Sequence, residues 1–227
     1  QGVGIDALGA VNIAMPFTII ITALAMLMSI GGVTVTAIRL GRGDQEGANS
    51  AFLHAVVISA AIGALLMATG MLFSRQIAAV SGSNETFLEL TADYIFHYSA
   101  FSLPFVFSIS LQGFVRNDGS PLLVSVAVVT GAATNIFLDW LFVFPLQWGI
   151  KGAAVASGLG QVSGLLILLI HFIRKKGVLR FKKFRLSPPL FWKIFKRGLP
   201  EMISQFGTPV TTMWMNQVLI KVLGDLA

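Results

Sequence analysis

The sequence predicts an all-α integral membrane protein, and three observations carry that prediction. Of its 227 residues, 55% are hydrophobic and only 11% are charged. That is about half the charged fraction a soluble domain uses to coat its surface. The mean hydropathy is +0.81, and the apolar residues gather into runs of about 20, the length a helix needs to cross some 30 Å of hydrocarbon. The runs do not alternate apolar with polar residues, as the strands of a membrane barrel would. There is no cysteine, which excludes a disulfide scaffold, thiolate zinc sites and cysteine nucleophiles.

Six transmembrane helices follow, over 14–38, 50–73, 91–115, 121–145, 152–173 and 198–222. Pro16, Pro104 and Pro209 fall inside three of them, where proline kinks a helix. The fifth run is rich in small residues, and Gly160 and Gly164 form a GxxxG pair suited to close helix packing. After the fifth run, 174–197 is the one long polar stretch. Within it, Leu190 to Arg197 interleaves aromatic and basic residues behind Ser187-Pro188-Pro189, so a short amphipathic helix on the inner membrane surface is expected.

The loops set the orientation. The net charge is +6. Arg39 and Arg42 follow the first span, Arg116 follows the third, and ten Lys and Arg lie in 174–197; together they hold thirteen of the sixteen basic residues, all on one side. By the positive-inside rule that side is cytoplasmic, in the cell (inner) membrane, and anionic lipid rather than nucleic acid is the partner of the charge. Residue 1 then starts outside, so a hydrophobic segment is expected to precede it. Gly4-Ile5-Asp6-Ala7-Leu8 and Gly224-Asp225-Leu226-Ala227 resemble each other and hint at two repeats.

Polar groups within the spans mark candidate function, because a charge at the bilayer centre costs about 2.5–3.5 kcal/mol on insertion scales. Asn135 and Asp139 are spaced i, i+4 and share one helix face. A carboxylate beside an amide oxygen is a partial site for Na⁺ or for a titratable proton; an interfacial Asp bonded to a neighbouring helix is the plainer alternative. Ser157 offers a hydroxyl. Tyr94 and Tyr98 are also i, i+4, with His97 between them and Gln112 further in. Asp93 and Glu201 suit helix N-termini. His54 and His171 are expected at headgroups or helix caps. Asn216 lies deep in the last span. No HExxH, GxSxG, P-loop or Rossmann fingerprint occurs, and the histidines are too scattered for a metal site. Neither a cofactor nor an enzymatic activity is expected.

The chain resembles a multidrug and toxic compound extrusion (MATE) transporter. The resemblance is carried by Asp6-Ala7-Leu8-Gly9-Ala10-Val11 before Pro16, Arg39-Leu40-Gly41-Arg42-Gly43-Asp44, Arg116-Asn117-Asp118-Gly119-Ser120-Pro121, the NxxxD of Asn135 to Asp139, and Gly149-Ile150-Lys151-Gly152-Ala153-Ala154. It implies a twelve-helix transporter of two six-helix bundles, of which this chain represents helices two to seven. Residues 1–173 would form the N-terminal bundle lacking its first helix, 174–197 a basic cytoplasmic linker, and 198–227 the first helix of the second bundle.

The resemblance also implies a cation or proton-coupling site at Asp139, Asn135 and Ser157, completed by an acid on the absent first helix. Tyr94 and Gln112 would be cavity residues by this resemblance; His97 and Asn216 are cavity candidates from their places within the spans. The implied function is antiport of amphipathic or cationic compounds against Na⁺ or H⁺. A flippase of lipid-linked oligosaccharides on a related fold is the rival. It calls for arginines inside a cavity, and the spans have almost none. A lipid-metabolising membrane enzyme needs clustered acids or histidines at one face, which the sequence lacks. A non-transporting scaffold would make Asp139→Asn silent.

Overall fold

The computed structural model describes residues 5–83, 85–182 and 185–224, without the side chains of 5–8, 86, 208, 210 and 212–224. The resembling chain ends therefore fall largely outside the described residues. Eight helices run α1 (Ile5–Gly41), α2 (Gln45–Leu72), α3 (Ser74–Val80), α4 (Glu85–Ser99), α5 (Ser102–Asn117), α6 (Pro121–Val143), α7 (Gly149–Ile173) and α8 (Pro188–Gly224). There is no strand among the described residues.

Among the described residues, four helices are long and apolar enough to cross a membrane: α1 from Gly9, α2, α6 and α7. The third expected span is not one straight helix. It is α4 and α5, bent by 53° at a short break. Pro104 explains the break: it has no N–H to bond the Ala100 carbonyl, and Phe101 leaves helical geometry at φ −105°, ψ 7°. The buried hydroxyls of Ser99 and Ser102 flank the break and find no hydrogen-bond partner. The sixth expected span lies within α8.

The core centres on α1, which packs against α2, α4, α5 and α8, while α6 rests mainly on α7. At the end of the bundle carrying the basic loops, α1 passes to α2 through a capped turn. Asp44 accepts a hydrogen bond from the Gly47 N–H at 2.8 Å, and Arg39 donates to the Gly47 carbonyl at 2.7 Å. Gly43 supplies the positive φ of +77° that the turn needs. The Gly-rich loop is thus a helix cap.

Several polar residues take other partners than expected. Asp93 does not open a helix, because α4 begins eight residues earlier; it pairs with Lys151 of α7 at 3.1 Å. Arg75 of α3 pairs with Glu89 of α4 at 3.0 Å. Glu201 is likewise internal to α8 and accepts a bond from Gln205 at 3.0 Å.

The larger correction concerns the linker. Residues 188–197 are not a separate helix on a membrane surface but the first turns of α8, and their apolar face is spent on protein. Leu190 and Ile194 are buried with residues of α1 and α2. The contact is close: a Cβ on Gly198 would lie 2.7 Å from the Leu27 carbonyl carbon. Upstream, the chain folds back over the bundle. Asp118 Oδ1 accepts from the Val178 N–H at 2.8 Å, and Oδ2 from the Leu179 N–H at 3.2 Å. Asn49 Oδ1 accepts from the Arg180 N–H at 2.8 Å, and His54 Nε2 from the Ser187 N–H at 2.7 Å. Phe181 closes over Phe52 and Phe172, with centroids 5.3 and 5.0 Å away.

His54 and His171 are therefore fully buried rather than set among headgroups. His171 Nε2 bonds Asp118 Oδ2 at 2.9 Å, and its Nδ1 meets the Ser120 hydroxyl at 3.0 Å. Backbone N–H groups that leave water need acceptors. Asp118, Asn49 and His54 meet that need for four N–H groups, so the linker becomes a docked strap.

Candidate functional site

Three glycines let α6 and α7 approach closely. A Cβ on Gly160 would lie 2.7 Å from the Gly131 carbonyl oxygen and 2.9 Å from Asn135 Cβ; one on Gly164 would lie 3.0 Å from the Ala127 carbonyl. Backbone against backbone leaves no room for a larger residue, which brings the polar side chains of the two helices within reach of each other.

Asn135 is the centre of the resulting cluster. Its Nδ2 donates to Asp139 Oδ2 at 3.1 Å along α6 and approaches Ser157 Oγ across the interface at 3.4 Å. Asp139 Oδ1 is buried and accepts no hydrogen bond. Such an oxygen has lost its water without gaining a donor, so a cation or proton at Asp139 would relieve it. Carboxylate, amide and hydroxyl are hard oxygen donors, suited to an alkali cation rather than a transition metal. Among the described residues there is no group of three or more His, Cys, Asp or Glu able to hold a metal ion.

Asn135 and Ser157 also face a cavity of about 600 Å³ enclosed by α1, α4, α5, α6 and α7. Tyr94 and Gln112 line it, as does Ser108. Asp139 does not: it sits one turn along α6 and reaches the cavity wall through Asn135. His97 is absent from the lining too. Its Nδ1 bonds the Asp93 carbonyl one turn back, at 2.7 Å, which holds the ring against its own helix. The side chain of Asn216 lies outside the described residues.

Several lining residues were not singled out from the sequence for the cavity. Tyr98 stacks on Tyr94 with centroids 5.7 Å apart, and Phe105 approaches Tyr98 at 6.0 Å. Phe101 enters the wall because the α4–α5 break turns it inward. Gln161 lies one turn beyond Ser157, and that i, i+4 spacing was a readable signal. None of the residues lining this cavity is charged.

The close α6–α7 contact yields a prediction. Gly160→Ala should part the helices and push Asn135 away from Ser157, at a cost of about 1–3 kcal/mol for overpacking. A lower melting temperature in detergent is expected; an unchanged one would mean the contact relaxes freely.

The MatE family profile matches residues 1–141. The chain belongs to the MatE family. This MatE chain is 25% identical over 215 residues to "Multidrug export protein MepA" of Staphylococcus aureus (strain bovine RF122 / ET3-1), covering 93% of this chain and 48% of MepA. It also resembles a solved MATE in complex with MaD3S, with a TM-score of 0.88 and 28% identity over 97% of this chain and 50% of that one. An outward-facing multidrug resistance MATE transporter gives the same TM-score at 27% identity, over 96% and 49%. The chain thus spans about half the length of the curated relatives it matches.

Proposed function

We propose that this MatE chain is the ion-coupled half of a secondary antiporter that exports amphipathic or cationic organic compounds in exchange for Na⁺ or H⁺. The observation that carries this reading is the buried, unpartnered Asp139 Oδ1, linked through Asn135 to the wall of an uncharged aromatic cavity. The name of the MepA relatives, multidrug export protein, supports the substrate class.

Ion and drug need different affinities for two states of the protein, since only a difference shifts an equilibrium. In one state Asp139 is ionised and Asn135 Nδ2 holds it. In the other, a proton or Na⁺ neutralises it. For Na⁺ the Asn135 amide rotates to present its carbonyl oxygen, and Ser157 Oγ adds a third donor. Either change alters the cavity wall, because Asn135 belongs to both the cluster and the wall. Tyr94 and Gln112 would contact the exported compound.

In this reading residues 1–173 are one bundle, 174–197 join it on the cytoplasmic face as the docked strap and the first turns of α8, and 198–227 open a second bundle. The basic loops face the cytoplasm.

The test is ethidium accumulation in efflux-deficient bacteria expressing the full-length protein, before and after ionophores collapse the Na⁺ or proton gradient. Expected is low accumulation that rises when the coupling gradient is lost. No change for ethidium or a panel of cationic dyes would overturn multidrug export and favour the flippase.

A further inference from the structure

A second cavity, of about 750 Å³, opens at the basic end of the bundle. The first turn of α2 supplies Gln45 and Glu46; Lys175 follows α7; Arg180 and Lys182 come from the docked strap. Three cations thus face one carboxylate. Among the described residues, neither Lys175 nor Lys182 has an ion-pair partner.

The wall is built rather than loose. Arg180 donates through Nη1 to the Leu179 carbonyl at 2.8 Å and through Nη2 to the Lys175 carbonyl at 2.9 Å. Its backbone N–H is held by Asn49, and the turn before it by Asp118. A guanidinium fixed this way has little conformational freedom left to lose on binding an anion.

The same cavity has an apolar rim. Val178 and Phe181 line it and remain 42% and 49% exposed. Ile173, the last residue of α7, is 76% exposed nearby in the chain. The cavity lies where two membrane-crossing helices end, α2 at Gln45 and α7 at Ile173, which is headgroup depth. Cations and apolar surface at that depth match an amphipathic anion better than a soluble one.

We propose that this cavity binds the phosphate-bearing headgroup of an anionic phospholipid, with Lys175, Arg180 and Lys182 around the phosphate and Val178 and Phe181 against the first acyl carbons. The setting rests on the proposed cytoplasmic side of the linker, but binding in detergent does not depend on orientation.

The test is native mass spectrometry of the purified full-length protein in detergent, with dioctanoyl phosphatidylglycerol, dioctanoyl phosphatidylcholine or inorganic phosphate added. Phosphatidylglycerol should be retained over phosphatidylcholine, each lysine contributing roughly five-fold. The double variant Lys175→Gln/Lys182→Gln should abolish the preference. Lys193→Gln/Arg197→Gln, which neutralises two exposed basic residues outside the cavity, should keep it. Equal retention of the two lipids overturns the proposal. So does an equal loss in the second double variant, which would mean diffuse surface charge. Phosphate binding without lipid preference would make this a free-phosphate site instead. Cysteine labelling of Lys193→Cys in intact cells tests the orientation separately.

Discussion

Asp139→Asn in the full-length protein should return ethidium accumulation to the empty-vector level at equal expression. The substitution keeps the size of the side chain and removes its ability to change charge. Asn135 Nδ2 would still find a carbonyl oxygen to bond, so the fold should survive. What is lost is the difference in ion affinity between two states, and without it the gradient does no work on the transport cycle. A drop of about tenfold or more in the initial efflux rate, some 1.4 kcal/mol, is expected. Ser157→Ala should cost less, because it removes one distant donor and leaves the carboxylate. Export that survives Asp139→Asn would keep the transporter reading and place coupling elsewhere. Full loss in Ser157→Ala with none in Asp139→Asn would reverse the roles assigned to the two residues.

Asp118→Ala should be the most destabilising of the substitutions considered. The Asp118 side chain is 2% exposed and that of His171 0%. The carboxylate accepts bonds from His171 Nε2 and from the N–H groups of Val178 and Leu179. Truncation leaves the buried His171 ring and the Leu179 N–H without this acceptor, and breaking such a pair from one side costs on the order of 3 kcal/mol. The strap should then lift, and proteolysis between Lys175 and Ser187 should speed up along with a fall in the melting temperature in detergent. Asp118→Asn keeps one acceptor oxygen and should fall between. If neither variant changes melting or cleavage, the strap is not held by this network.

Much of the bundle was legible because its causes are local. A run of apolar residues states its own length, so α6 and α7 match the expected bounds within three residues, while α2 starts five residues and α1 nine residues earlier than expected. The i, i+4 spacing of Asn135 and Asp139 put them on one helix face, and their 3.1 Å hydrogen bond follows from that spacing. Ser157 reached the same cluster only as an implication of the family resemblance. The bend is half legible: Pro104 marks a kink in the sequence, but its angle and the inward turn of Phe101 come from packing. His97 sits within the span beside two tyrosines, but its ring turns to the Asp93 carbonyl rather than to the cavity.

The strap was hidden for a different reason. Composition sees ten basic residues in 174–197 and assigns a solvated surface loop. It cannot see that Asn49, His54 and Asp118, between 60 and 133 residues away in sequence, supply acceptors for the loop's backbone. Such pairings carry no periodicity and no composition signal.

By itself the sequence determined the solvent, the span lengths, the charge asymmetry and the family pattern, since each depends on neighbours within a few turns. Only the tertiary structure decided that α4 and α5 break to form a cavity wall, that Asp139 keeps one oxygen unbonded, and that the linker is docked. These depend on distances between helices far apart in the chain, set by where Gly131, Gly160 and Gly198 allow backbones to meet.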